Sequence, residues 1–126
     1  MTIEHAAVLY RDIEKAKRFF EGYFGASAGE LYRNARTRFS SYFLTFDNGC
    51  RLEIMNRPDL KERPENVLAG FHHIAFSVGT KETVDSLTER LRHDGYDVIG
   101  EPRVTGDGYY ESVIADTEGN LIELTV

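Results

Sequence analysis

The sequence predicts an α+β fold made of two consecutive β-α-β-β-β units, and three observations support this prediction. His5 and His73 lie 68 positions apart, and Glu53 and Glu123 lie 70 positions apart. Each of these glutamates follows a glycine by four positions. At 126 residues, the chain is long enough for a single compact unit or for two small halves that share a core. We therefore expect one fold unit to occur twice.

The first half begins with a predicted strand and helix. Residues Ile3–Tyr10 are apolar and β-rich, which indicates a strand. Asp12 is a candidate N-cap, and Gly25 is a candidate left-handed C-terminal stop. Between these two residues, apolar side chains recur at helical spacing, at Ile13, Ala16, Phe19, Phe20 and Tyr23.

Three more strands are expected in the first half, at Ala28–Arg33, Phe39–Phe46 and Arg51–Met55. The Asp47–Gly49 segment provides a turn before the last of them. The predicted first unit is 1–56. The segment 57–69 is polar and contains two prolines, which is typical of a linker, and the predicted second unit is 70–126.

The second half is expected to repeat this order of elements. A strand is predicted at Phe71–Val78, followed by a helix that ends at Gly95. The three strands that follow are expected at Tyr96–Gly100, Tyr109–Ala115 and Leu121–Val126. Two such units, paired within a chain or between chains, would leave a concave surface of strands between them.

The composition is that of an acidic globular protein. Net charge is −6 and no run of Lys or Arg occurs, so nucleic acid and anionic membranes are poor candidate partners. No apolar run is long enough to span a bilayer. The N-terminus lacks the pattern of a secretory signal, and the single Cys50 cannot form an intramolecular disulfide. We expect a cytoplasmic protein.

The repeated histidines and glutamates are candidate metal ligands. Side chains alternate along a strand, and both glutamates lie between apolar neighbours, so their carboxylates should point away from the apolar face. Imidazole nitrogen and carboxylate oxygen suit Zn²⁺, Ni²⁺, Fe²⁺ or Mn²⁺. A repeated pair of ligand types suggests one site assembled from both halves, from His5, Glu53, His73 and Glu123.

The sequence resembles the vicinal oxygen chelate superfamily, which includes glyoxalase I and the bleomycin-resistance proteins. The resemblance covers essentially the whole chain and is most specific in two stretches, His73-Ile-Ala-Phe-Ser-Val and Asp116-Thr-Glu-Gly-Asn-Leu-Ile-Glu123. It implies that the paired units form a half-open mixed β-barrel groove around a divalent metal. The ligand positions of the family match His5, Glu53, His73 and Glu123.

The resemblance also implies a function. Relatives with four protein ligands, including a Glu or Gln at the position of Glu53, carry out proton transfer of the glyoxalase I type. Glu123 and Glu53 are therefore the candidate catalytic residues. Ni or Zn is the expected metal, with Fe, Mn or Co as alternatives. A thiol transferase or dioxygenase that does not use Glu53 as a ligand, or a non-catalytic binding protein, remains an alternative. A homodimer is expected, as in glyoxalase-like relatives.

Three further residues are candidates for binding a small-molecule substrate: Arg11, Arg38 and Tyr110. Either Tyr109 or Tyr110 should face the groove, because neighbouring side chains in a strand alternate in direction. An ordinary surface role is an equally good interpretation for the arginines. Leu9 stands where glutathione-using glyoxalases typically have an arginine, which puts glutathione in doubt as a co-substrate.

Overall fold

The computed structural model describes residues 3–61, 70–106 and 108–126. The chain divides into two compact units, Met1–Val67 and Leu68–Val126. Within these described ranges each unit contains one sheet and one helix, so the predicted α+β class and the repeated unit are confirmed. Most of the linker expected over 57–69 lies outside the described residues.

The first unit is a five-stranded sheet with one helix. Its elements are β1 (Ala6–Leu9), α1 (Ile13–Phe24), β2 (Ser27–Ala28), β3 (Tyr32–Arg33), β4 (Ser40–Thr45) and β5 (Arg51–Asn56). The strands follow the order β1-β5-β4-β2, and β3 also pairs with β4. β1 runs parallel to β5, and the other pairings are antiparallel. The first and last strands of the unit are therefore neighbours.

Helix α1 begins and ends where the sequence predicts. The Asp12 side chain accepts a hydrogen bond of 2.9 Å from the Lys15 backbone N–H, which satisfies a free donor of the first turn. Gly25 adopts a left-handed conformation with φ 64° and ends the helix. The buried face of α1 packs against β4 and β5 and consists of Ile13, Ala16, Phe19 and Phe20.

The second unit repeats the topology of the first. Its elements are β6 (His73–Ser77), α2 (Lys81–His93), β7 (Val98–Val104), β8 (Tyr110–Ala115) and β9 (Leu121–Thr125). The strand order is β6-β9-β8-β7. β6 runs parallel to β9, so here too the first and last strands are neighbours.

A buried hydrogen bond ties helix α2 to its sheet. The Thr88 hydroxyl lies 2.7 Å from the Ser112 hydroxyl on β8, and both residues are fully buried. Thr88 also donates to the Val84 carbonyl one turn earlier. Because an unpaired buried hydroxyl is costly, this pair favours one position of α2 on the sheet.

Three of the predicted strands differ most from the observed ones. β1 begins at Ala6 rather than Ile3, and the single strand expected at 28–33 is two short strands. β7 begins at Val98 and continues to Val104, past Pro102. A proline is tolerated there because β7 is at the edge of its sheet, where its pairing with β8 is irregular. In the described residues, no helix is long and apolar enough to cross a membrane.

We predict opposite effects on stability for two glycines near the end of α1. Gly25→Ala should destabilise the protein by about 1–2 kcal/mol, because a Cβ is disfavoured in the left-handed conformation. Gly22→Ala is the control. Gly22 is inside the helix, with open space around a Cβ, so alanine there should stabilise by about 0.5–1 kcal/mol. Urea unfolding measures both values, and equal effects of the same sign would contradict the assignment of Gly25 as the helix stop.

Candidate metal centre

The first unit places His5 beside Glu53. Parallel pairing of β1 with β5 puts Ala7 opposite Glu53, and His5 lies two positions before Ala7 on the same face. The distance from His5 Nε2 to Glu53 Oε2 is 3.8 Å. The Glu53 side chain is only 16% exposed, and that of His5 is 35% exposed. This pair of side chains is called the first His–Glu pair below.

The second unit forms the same pair with the same register. Ala75 on β6 is opposite Glu123 on β9, and His73 lies two positions before Ala75. His73 Nε2 is 3.5 Å from Glu123 Oε2, and the Glu123 side chain is again 16% exposed. We call this the second His–Glu pair. The two units therefore repeat the geometry of the pair as well as its sequence.

Burial of the neighbouring side chains sets the direction of both carboxylates. Leu52 and Ile54 flank Glu53 and are 3% and 0% exposed, while Ile122 and Leu124 flank Glu123 and are equally well buried. In each unit the helix packs on the sheet that holds these residues. Alternation along the strand then sends the glutamate to the opposite face, as the sequence predicts.

In the first unit, charged and aromatic side chains surround the imidazole. Glu4 contacts His5 Nδ1 and also accepts a hydrogen bond from Arg51. The Arg51 guanidinium lies 4.4 Å from the centre of the Phe43 ring, which itself packs edge-on against His5. The hydrogen bond with His5, and secondarily the Arg51 guanidinium, lower the pKa of the Glu4 carboxyl below its usual value.

In the second unit, a histidine takes the place of that glutamate. His72 Nδ1 lies 2.9 Å from His73 Nδ1, so one of the two rings donates to the other. In both units, therefore, the residue before the candidate ligand contacts Nδ1, and Nε2 is the ring nitrogen that lies within 4 Å of the glutamate.

Each pair has the donor atoms that a divalent metal prefers but is half of a site. One imidazole nitrogen and one carboxylate oxygen suit a first-row divalent ion, and structural and catalytic sites use three or four such protein ligands. Within the described ranges, no group of three or more His, Cys, Asp or Glu side chains is close enough to hold a metal. A complete site therefore requires ligands beyond one pair.

Three residues expected to bind substrate are not beside the pair of their own unit. Arg11 follows the C-terminal end of β1, whereas His5 precedes its N-terminal end. Arg38 is exposed in the turn between β3 and β4, with φ 58°. The Tyr110 hydroxyl donates to Asp85 on α2 at 2.7 Å, so its ring lies on the helix side of the sheet.

The sequence did not single out an arginine–glutamate pair on the Glu123 face. Val113 is opposite Glu123, so Glu111, two positions earlier on β8, shares the face of that carboxylate. The Glu111 side chain is 12% exposed and accepts a hydrogen bond of 3.2 Å from Arg103. Arg103 extends across Gly100, where an added Cβ would lie 3.0 Å from its guanidinium. Strand alternation from Glu123 through Val113 was the signal that could have identified Glu111.

The face of the first unit that carries Glu53 also has an apolar cavity of about 560 Å³. Leu9 and Met55 are paired across β1 and β5, and Met55 lies two positions after Glu53 on the same face. The full lining is Leu9, Thr37, Phe39, Met55, Arg57, Pro58 and Asp59. His5 and Glu53 are not among the lining residues, so the cavity lies further along this face than the first His–Glu pair.

Comparisons with known proteins identify the family and the fold of this chain. The family model described as the glyoxalase/bleomycin resistance protein/dioxygenase superfamily matches residues 2–124. The uncharacterized protein YqjT of Bacillus subtilis strain 168 is 28% identical over 127 residues, which cover 97% of this chain and 96% of YqjT.

Two solved structures illustrate the similarity in fold. A glyoxalase family protein from Enterococcus faecalis superposes with a TM-score of 0.83 at 22% identity, covering 99% of this chain and 97% of that one. The fosfomycin resistance protein FosX from Listeria monocytogenes, complexed with Mn(II) and a sulfate ion, gives a TM-score of 0.73 at 25% identity. That match covers 99% of this chain and 91% of FosX.

Proposed function

Because the chain belongs to the glyoxalase/bleomycin resistance protein/dioxygenase superfamily, we propose that it is a metal-dependent lyase or isomerase of the glyoxalase I type. Its substrate would be a small molecule that binds the metal through two neighbouring oxygens. The observation that carries this proposal is the repeated pair, with Nε2–Oε2 distances of 3.8 Å and 3.5 Å in the two units.

The four residues of the two pairs would hold the ion: His5, Glu53, His73 and Glu123. Two imidazoles and two carboxylates together supply a four-ligand set of borderline and hard donors, which fits Ni²⁺ or Zn²⁺ and also Fe²⁺, Mn²⁺ or Co²⁺. When bound, the divalent ion supplies positive charge that stabilises negative charge developing on the oxygens of the substrate.

Glu123 is the proposed base in this reaction. It would take a proton from a carbon next to a substrate carbonyl and return it to the neighbouring carbon. Its carboxylate is 16% exposed, so few water molecules surround it, and the apolar residues on either side fix its direction. Glu53 has the same exposure and register in the other unit and is the second candidate for this role.

Two surfaces suit different parts of the substrate. In the first unit, Leu9, Phe39 and Met55 line the apolar cavity on the Glu53 face. In the second, Arg103 and Glu111 provide a cation and an anion on the Glu123 face. Arg11 and Arg38 remain candidates for an anionic group of the substrate, whereas the bond of Tyr110 to α2 argues against its role there.

A second candidate is a metal-dependent transferase or dioxygenase that does not use Glu53 as a ligand. The likeness to the fosfomycin resistance protein FosX with bound Mn(II), at 25% identity, supports metal dependence, which both candidates share. The two candidate functions predict different results for one variant. Glu53→Ala weakens metal binding if Glu53 is a ligand and leaves it unchanged if the site has three ligands.

Replacement of Glu123 tests the proposed chemistry. We expect metal-loaded wild-type protein to convert the methylglyoxal–glutathione hemithioacetal or a related 2-oxoaldehyde adduct of another thiol. Glu123→Gln keeps an oxygen donor but removes the base, so turnover should fall about 10²–10⁴-fold while most of the metal is retained. Glu118→Gln, which alters a turn residue, is the matched control. An unchanged rate in Glu123→Gln would place the base elsewhere, and metal-loaded protein that turns over none of these adducts would favour the transferase or binding-protein alternatives.

We also propose that the protein is a homodimer in which each site takes its two pairs from different chains. This exchange would join two half-sites that each provide only two ligands. A mixed dimer of His5→Ala and His73→Ala chains should then regain activity, because one of its sites receives only intact residues. The single variants alone should be inactive. No recovery in a mixed dimer verified by mass spectrometry would indicate that the ligands of each site come from one chain.

A further inference from the structure

We propose that Glu4 is a positioning residue that fixes the His5 imidazole in the tautomer needed to bind a metal through Nε2. Glu4 is not one of the four candidate ligands, and its role as a positioning residue rests on the proposed function. The contacts that support it all lie within the first unit.

Hydrogen-bond chemistry determines where the His5 proton resides. An ionised carboxylate can only accept, so the contact between Glu4 and His5 Nδ1 requires the proton on Nδ1. In a neutral imidazole, Nε2 then has a lone pair. The Glu53 carboxylate oxygen lies 3.8 Å from Nε2 and is also an acceptor. Two facing acceptors favour a cation between them.

Glu4 is itself held in place by the residues around the pair. Arg51 donates to Glu4 and lies over the ring of Phe43, and the edge of that ring contacts His5. Arg51 is on β5, two positions before Glu53. Strand β5 thus carries both the candidate ligand Glu53 and the Arg51 cation. Arg51 in turn orients the Glu4 carboxylate that contacts His5.

The carboxylate should also make His5 a stronger ligand. A carboxylate that accepts the Nδ1 proton of a metal-binding histidine raises the basicity of the imidazole and fixes the ring orientation. In the second unit the equivalent position is His72, whose Nδ1 lies 2.9 Å from His73 Nδ1. A neutral ring can accept the same proton but brings no negative charge. We therefore infer that the two pairs are electrostatically unequal and that the first is the stronger.

The decisive measurement is the tautomer of His5 in the metal-free protein. Two-dimensional ¹H–¹⁵N spectra of histidine-labelled protein, recorded at a pH where the imidazoles are neutral, report which ring nitrogen has the proton. We expect Nδ1–H for His5 in the wild type. Glu4→Leu should shift the ring towards Nε2–H, and Glu4→Gln should restore Nδ1–H, because an amide oxygen can accept the same bond.

Two controls accompany this measurement. Glu30→Leu removes an exposed negative charge from the same unit and should leave the His5 signals unchanged. His73 lies in the other unit and should keep its tautomer in every Glu4 variant, so it serves as an internal reference. If His5 keeps the same tautomer in Glu4→Leu, or is Nε2–H in the wild type, Glu4 does not position it.

Zn²⁺ affinity provides the second readout. Competition with a chromophoric chelator should show about 10-fold weaker binding in Glu4→Leu, a smaller loss in Glu4→Gln and none in Glu30→Leu. His72→Glu should tighten binding by giving His73 a charged partner. If the tautomer shifts as expected and Zn²⁺ binds, but no adduct is turned over, the proposed function fails and the positioning role stands. Equal affinity of wild type and Glu4→Leu would overturn the positioning role, whatever the activity.

Discussion

Parallel pairing between the first and last strands of each unit is the constraint on which the rest of the site depends. In both units this pairing places an alanine opposite the glutamate, Ala7 opposite Glu53 and Ala75 opposite Glu123. The histidine lies two positions before that alanine, on the same face of the sheet. A shift of one residue in either register would turn the glutamate towards the helix. Burial of the flanking leucine and isoleucine side chains makes that shift unfavourable, so core packing maintains the position of the carboxylate.

The parts of the fold that follow local rules could be predicted from the sequence. Both helices have a side-chain N-cap and a glycine at or just past the C-terminal cap, and their apolar spacing identified the buried face. The directions of Glu53 and Glu123 followed from alternation with apolar neighbours. The short strands β2 and β3 and the start of β7 depend on edge pairing, which local sequence does not specify. Likewise, nothing local showed that Tyr110 would bond to Asp85 on a helix 25 positions earlier.

The two units share a backbone plan but differ in the chemistry around it. On the candidate ligand face, the first unit has Leu9 and Met55, and the second has Arg103 and Glu111. Behind the histidines, the first unit has the carboxylate of Glu4 and the second has the ring of His72. Under the proposed function, this difference would let the repeated pair supply metal ligands while the surfaces beside it contact different parts of a substrate.

The metal content of the purified, reconstituted protein tests the proposed site most directly, with the metal measured by plasma mass spectrometry and the protein concentration measured in the same sample. If the two pairs together form the site, the protein holds one divalent ion for every two His–Glu pairs, and therefore one per chain. Both His5→Ala and His73→Ala should then lose nearly all of the ion. His93→Ala, which removes a histidine whose side chain is 90% exposed on α2, should keep the full amount. Full occupancy in both His5→Ala and His73→Ala would contradict the claim that the repeated pairs together form the metal site.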